Sequence, residues 1–323
     1  AYSNETKVLG VIFDRKIDFR SHVRLAIDKC TRIYRQIIGF ARSKYGLGPK
    51  IIKQLYNSII VPIITYGCAA WHRAINYVFI QKELRQFQRP IAQLITKSYR
   101  SAAFVSTTAI ADMLPLHLEI MKQANIALAR IKKKYKMNEN RLVVDVPDET
   151  RIDVNAYPRI YCGQPFTRTF YQMYTKSIRT RHGIGCGFQL FNGTYFIGTV
   201  TYRLPTYCSN LQADLFVISK AIDFCKEKYS NEAAITILNN NLGAISHIKK
   251  KNHSKVSNLA KQIIESTPTN MVIAWVKMDR SDRKLVKLKK MLMSTARLKQ
   301  TFDYEKIPMA TIKKMEMKTA LIN

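Results

Sequence analysis

Acidic side chains are scarce in this sequence: 22 Asp and Glu stand against 53 Lys and Arg in 323 residues, a formal net charge of +31. Such a field repels itself, which points to a polyanionic partner, nucleic acid ahead of an anionic membrane surface. A lysine-rich solvated surface set by genome composition is the bland alternative. Glycine (12) and proline (10) are also few, which excludes collagen-like and low-complexity classes. The six cysteines, Cys30, Cys68, Cys162, Cys186, Cys208 and Cys225, form no C-x-x-C pair and have no histidine at zinc-ligand spacing. That pattern excludes a zinc module or a disulfide framework, and reads as reduced thiols, most of them buried. No apolar run reaches the roughly eighteen residues of a membrane span, and no signal-peptide layout opens the chain. The expected compartment is therefore nuclear or cytoplasmic. The chain also opens in mid-pattern, "TKVLGVIFD", as though cut from something longer.

What is present is an ample apolar fraction, 47%, over a length that suits roughly two domains. Both halves are basic, net +14 over residues 1–150 and +17 over 151–323. After the strand-like "KVLGVIFD", the pattern to about residue 140 is helical. Val23, Ile27, Cys30, Tyr34, Ile37 and Ile38 recur at spacings of three and four, ending at Gly46 and Gly48-Pro49. "KIIKQLYNSIIVPIITYGCAAWHRA" is apolar on most sides and reads as a central helix that Pro62 kinks or breaks. In "QKELRQFQRPIAQLITKSYRS", Leu84, Phe87, Ile91, Leu94 and Ile95 make one stripe, and Lys82, Arg85 and Arg89 lie on another. A basic stripe opposite an apolar one suits a helix lying along a phosphate backbone, and equally a plain solvated face. Residues 141–165, with acidic clusters and prolines, read as a linker, and the basic tail 299–323 as loosely structured or an amphipathic helix.

The second half changes period. Strand runs at about 166–176, 184–191 and 194–203, the last two around an Asn192-Gly193 turn, precede a helix opening at Ser209. A strand "AAITIL", helical stretches, a strand "NMVIAWVKM" and a final helix follow, which together make a mixed α/β sheet. On the first of these strands alternation puts Phe170, Gln172, Tyr174 and Lys176 on one face. In the helix after Ser209, Leu211, Leu215, Ile218 and Ile222 form the buried stripe. Asp214 falls about 70° from its centre, at the edge of the apolar face; an exposed Asp favoured by the helix dipole is the alternative. Any one of Asn239, Asn240 and Asn241 suits a helix N-cap.

The order "MYTKSI", "GIGCGFQLF", "YRLPTYCSNLQADLFVISKAI", "ITILNNNLGAI", "IAWVKMD" resembles an RNase H domain of the kind that ends non-LTR (LINE-type) retrotransposon polyproteins. The first half resembles, in the same order, the segment after the reverse transcriptase palm: "KVLGVIFDRKIDFRSHV", "LYNSIIVPIITYGCAAW" and "LRQFQRPIAQLITKSYRSAAFVSTTAIADMLPLHLEI". The resemblance covers about residues 6–298. It implies the end of a palm at 1–20, a helical thumb or connection region at 21–140, and an RNase H-like domain at 166–298. That domain would have three antiparallel strands, two further strands and flanking helices.

In the active family two Mg²⁺ ions about 4 Å apart clamp the attacking water and the leaving oxygen, and four carboxylates surround them. Carried over by position, the first-strand Asp falls on Lys176, the helix Glu on Asp214, the fourth-strand Asp on Asn240 and the last on Lys289 or its neighbour. Asp214 alone remains acidic, so no metal site and no cofactor are expected, and RNA cleavage is expected to be absent. The polymerase aspartates of such elements lie upstream of Ala1, so no polymerase activity is expected of this chain by itself. The resemblance and the charge together imply a retroelement fragment holding an RNA/DNA hybrid or template-primer duplex through phosphate contacts, with the remainder of the polyprotein as its other partner and no membrane. Candidate contacts are Lys82, Arg85, Arg89, Lys249, Lys250, Lys251, Lys284, Lys287 and Lys290. The alternatives are residual hybrid cleavage by a shifted set such as Asp214, Asp279 and Asp282, and a decayed copy with no selected role.

Overall fold

The computed structural model describes residues 4–41, 46–137, 140–146, 158–162, 171–229, 234–249, 257–277, 283–298 and 301–322. They are mixed α/β and divide into two compact units, 1–132 with 313–323, and 133–312.

The first unit opens with a hairpin, β1 (Glu5–Val8) and β2 (Val11–Asp14), paired antiparallel. Its two-residue turn puts Leu9 at φ 48° and Gly10 at φ 87°, both left-handed, as a twisted two-residue hairpin demands. Helices then follow: α1 (Arg20–Ala41), α2 (Pro49–Leu55), α3 (Val61–Ile64), α4 (Cys68–Trp71), α5 (Val78–Thr96), α6 (Phe104–Ile110) and α7 (Leu116–Lys132). Between α2 and α3 the chain makes a π turn, Tyr56–Ile60, immediately before Pro62. The expected interruption is thus a widened turn: proline has no N–H for the α ladder and its ring presses on the preceding turn. The stripe Leu84, Phe87, Ile91, Ile95 is buried, and Gln88 sits among it fully buried. Its amide is satisfied three times, donating to Tyr56 Oη (3.0 Å) and the Leu114 carbonyl (2.9 Å) and accepting from the Leu116 N–H (2.9 Å). A buried amide is tolerable only when bonded in this way.

In the second unit the stretch expected as helix and linker holds strands instead. β3 (Lys134–Met137) and β4 (Asn140–Asp145) pair antiparallel, and β5 (Arg159–Cys162) joins the main sheet. β4 finds its other partner in β11 (Ile307–Pro308), over 160 residues away, a pairing that no local period reveals. The main sheet contains β6 (Tyr171–Arg179), β7 (Ile184–Asn192), β8 (Tyr195–Leu204), β9 (Ile235–Asn239) and β10 (Met271–Trp275), in the order β5-β10-β9-β6-β7-β8. β6, β7 and β8 form the expected antiparallel meander, its tight turn served by Gly193 at φ 59°, while β9 and β10 run parallel to β6. The expected start of the first strand, 166–170, lies outside the described residues. α8 (Asn210–Lys228), α9 (Leu242–Ile248) and α10 (Asn258–Ser266) supply one side of the core, and α11 (Arg283–Thr295) packs on β6, β7 and β8. The tail is a helix, α12 (Met309–Ile322), which from residue 313 on belongs to the first unit, where Glu316 and Ala320 are buried at four-residue spacing. Among the described residues no helix is long and apolar enough to cross a membrane.

Candidate functional site

α8 is anchored before it presents its carboxylate. Ser209 Oγ accepts from the Gln212 N–H and Gln212 Oε1 accepts from the Ser209 N–H, both at 3.1 Å, a reciprocal capping box. Gln212 Nε2 also donates to Asp145 Oδ2 at 2.7 Å. Arg179, at the end of β6, clamps the approach to the helix through the carbonyls of Thr206 and Cys208 and the Asn210 side chain. Asp214 follows one turn into a helix started so firmly.

Asp214 is buried, 4% exposed, and does not sit at a solvent edge. The helix is covered on several sides, since Ala213, Phe216, Val217, Ser219 and Ala221 are buried beside the expected stripe. The reason is that α10 and α9 pack on α8 behind the face it turns to the sheet. Asp214 Oδ2 accepts from Asn241 Nδ2 at 2.6 Å, and Oδ1 is buried with no partner in hydrogen-bonding geometry. Asn241 in turn caps α9, its Oδ1 accepting from the N–H groups of Gly243 (3.0 Å) and Ala244 (3.3 Å). Asn239 Oδ1 takes the Asn241 N–H (2.7 Å), and Asn239 Nδ2 donates to Thr175 Oγ1 (2.8 Å), whose hydroxyl donates to the Leu238 carbonyl (2.9 Å). Asn240 is exposed, and its carbonyl accepts from Trp275 Nε1. The neighbours of Asp214 are thus Asn239 and Asn241. The triple asparagine hid this choice, which is made by the end of β9 and the start of α9.

Burial pushes the Asp214 carboxyl above its ordinary value, against the polar side chains of Asn241, Ser177 and Asn239 and the charge of Lys176. A raised folded-state pKa stabilises the fold fully below the ordinary carboxylate value, and that contribution is lost as pH rises through the raised value. Asp214→Asn keeps an acceptor for Asn241 and carries no charge. The variant is expected to exceed the wild type in urea midpoint at about pH 8 and to match it at about pH 3, below the ordinary carboxylate value. An equal difference at both pH values would show that Asp214 is not held as a buried charge.

Lys176 lies on the other face of β6. Met173 faces α8, its Sδ 3.0 Å from Cys225 Sγ, and alternation sends Lys176 towards α11. Its register partner is Gly187. A Cβ on Gly187 would stand 3.1 Å from Leu292 Cδ2, and one on Gly185 only 2.0 Å from the Leu292 carbonyl oxygen. The two glycines let α11 descend onto β7 at Leu292, and Lys289, one turn earlier, comes beside Lys176. Burial, the charge of Lys289 and, in the opposite sense, that of Asp214 act on the Lys176 ammonium, with a net lowering of its pKa. The structure therefore brings Lys176, in the C-terminal half of β6, into one electrostatic group with Asp214 and Lys289.

A divalent cation there would meet one carboxylate, neutral amides and two ammonium groups. That set does not fit Mg²⁺, which needs near-octahedral oxygen ligation. Among the described residues no group of three or more His, Cys, Asp or Glu could hold a metal ion.

The other basic candidates disperse. Lys82, Arg85 and Arg89 line one shallow groove with Phe104, but Arg89 spends Nη2 on the carbonyls of Arg100 (3.2 Å) and Ala102 (2.8 Å), holding the turn before α6. On α11, Lys287 lies over the Phe196 ring, 5.2 Å from its centroid, on the flank opposite Lys289, and Lys290 is exposed. Lys249 is exposed at the end of α9. Lys250, Lys251, Asp279, Asp282 and the side chain of Lys284 lie outside the described residues.

No protein-family model matches the chain. It is similar to a retrovirus-related Pol polyprotein from type-1 retrotransposable element R1 4 of Nasonia vitripennis, 23% identical over 133 residues, 41% of this chain and 33% of that protein. It is also similar to a retrovirus-related Pol polyprotein from type-1 retrotransposable element R1 of Bradysia coprophila, 23% identical over 123 residues, 38% of this chain and 12% of that protein. A probable RNA-directed DNA polymerase from transposon X-element of Drosophila melanogaster is 33% identical over 98 residues, 29% of this chain and 10% of that protein. The matched stretches thus span between a tenth and a third of these relatives. The homologues of this chain are, over part of its length, Pol polyproteins of non-LTR retrotransposable elements.

Proposed function

We propose that this chain holds nucleic acid for a retroelement polyprotein and does not cut it. Its second unit is an RNase H-like module whose metal centre has been replaced by cations, and its helical first unit is a thumb-like element. The ligand is an RNA/DNA hybrid or template-primer duplex, gripped through phosphates in the nucleus or cytoplasm beside the remainder of the polyprotein, with no part for a membrane. The observation that carries the reading is Lys176, in the C-terminal half of β6, beside Lys289 of α11, with one buried carboxylate, Asp214, near them. Two-metal hydrolysis needs the opposite sign of charge at that point. The strand order of the sheet, the +31 net charge and the retroelement homologues agree with it.

Phosphate contacts position a duplex without reading its sequence, so no sequence preference is part of the proposal. The test of the catalytic half is direct: purified chain is incubated with an end-labelled RNA/DNA hybrid and Mg²⁺. No cleavage above the no-protein control is expected, and Lys176→Asp alone should not bring it about. Cleavage by the wild type that Asp214→Ala abolishes would overturn the reading.

A further inference from the structure

We propose that the paired ammonium groups of Lys176 and Lys289 form a binding site for one phosphate group, either a backbone phosphodiester or free inorganic phosphate. This rests on the reading that the chain binds nucleic acid, and names the point on the sheet where a phosphate sits.

Lys176 is half-buried on β6 opposite Gly187, and α11 lies over that glycine with Leu292 and Leu288 buried against the sheet. The missing side chains on β7 lower the helix and draw Lys289 to Lys176. Among the described residues neither lysine is in an ion pair within 4.0 Å; the acidic partners in such pairs are Glu83, Asp112, Glu119 and Asp223. Asp214 makes no ion pair with Lys176 within 4.0 Å; its Oδ2 accepts from Asn241, and its helix is fixed by the Ser209–Gln212 box.

Two like charges on facing elements, Lys176 half-buried and Lys289 exposed, raise each other's cost, and a bound anion relieves both. Burial first, and the charge of Lys289 after it, depress the pKa of Lys176, with Asp214 acting in the opposite sense. Each ammonium carries three N–H donors, and tetrahedral phosphate has oxygens enough to accept from both. Asp214 beneath sets the limit: it opposes a second anion, so the site takes one phosphate and no more.

The experiment is lysine footprinting of the full chain. An amine-reactive acetylating ester is applied briefly near neutral pH, and modification of each lysine is read by mass spectrometry. The arms are buffer, inorganic phosphate, chloride at equal ionic strength, and an RNA/DNA hybrid. Phosphate and hybrid should each slow acetylation of Lys176 and Lys289 several-fold, while phosphate leaves exposed Lys16 and Lys318 unchanged. Lys289→Gln should remove phosphate protection of Lys176 with the circular dichroism spectrum intact. Hybrid protection of other lysines with Lys176 and Lys289 unchanged would overturn the site and leave nucleic-acid binding standing. Protection of the pair by phosphate with no lysine protected by hybrid would keep a free-phosphate site and overturn the proposed function. Equal protection by chloride would reduce the effect to screening and sink the site, as would no protection in any arm.

Discussion

Alanine at Gly185 is expected to destabilise the second unit by about 3 kcal/mol, the upper range for forcing an extra methyl into a packed contact. The added Cβ would lie 2.0 Å from the Leu292 carbonyl oxygen and 2.8 Å from its carbonyl carbon. Those are backbone atoms of a helix, so no side-chain rotation relieves the clash. α11 must lift, and Leu288, Leu292 and Ala296, all fully buried, lose contact with the sheet together. Gly198, on β8 of the same meander, is the control: a Cβ there meets nothing within 4 Å, and alanine in place of a strand glycine costs no chain entropy. Urea midpoints of the two variants should therefore differ widely. A Gly185→Ala protein as stable as Gly198→Ala would mean that α11 does not cross β7 where described, and the Lys176–Lys289 pairing would fall with it.

The sequence showed some of this and concealed the rest for reasons that are physical. Alternation along β6 to β8 and the Asn192-Gly193 turn are local signals, and the meander follows from them. Lys176 and Asp214 could be picked out because a resemblance fixed their order along the chain. The burial of Asp214 could not, because a second covering layer of α9 and α10 is invisible to a one-helix periodicity. Asn239 and Asn241 were hidden by sitting either side of an identical residue. Arg89 looked like a free surface cation, since its carbonyl partners lie 11 and 13 residues along, in a loop with no periodicity. Gly185 and Gly187 read as ordinary strand glycines, and only the approach of α11 from about 100 residues away gives them a purpose. Local period is written in the sequence; partnership at long range is not.

The second large effect is on binding. Each phosphate that the chain neutralises releases condensed counterions, so log K should fall with log salt at a slope of about −0.9 per contact on duplex DNA. A chain of net charge +31 that grips a duplex through backbone phosphates makes several such contacts. Even two of them cost about tenfold in affinity for a fourfold rise in salt, and six or more cost about a thousandfold. The loss should be nearly the same for hybrids of unrelated sequence, because phosphate contacts carry no base information. The lysine pair should contribute one part of the slope, so Lys176→Gln with Lys289→Gln should make it shallower by about one contact.

The measurement that bears most directly on the central claim is the dissociation constant of the full chain for an RNA/DNA hybrid, without divalent metal, from about 50 to about 200 mM salt. Binding should weaken at least ~10-fold across that range. Affinity unchanged within about twofold, or binding that appears only when Mg²⁺ is added, would contradict it.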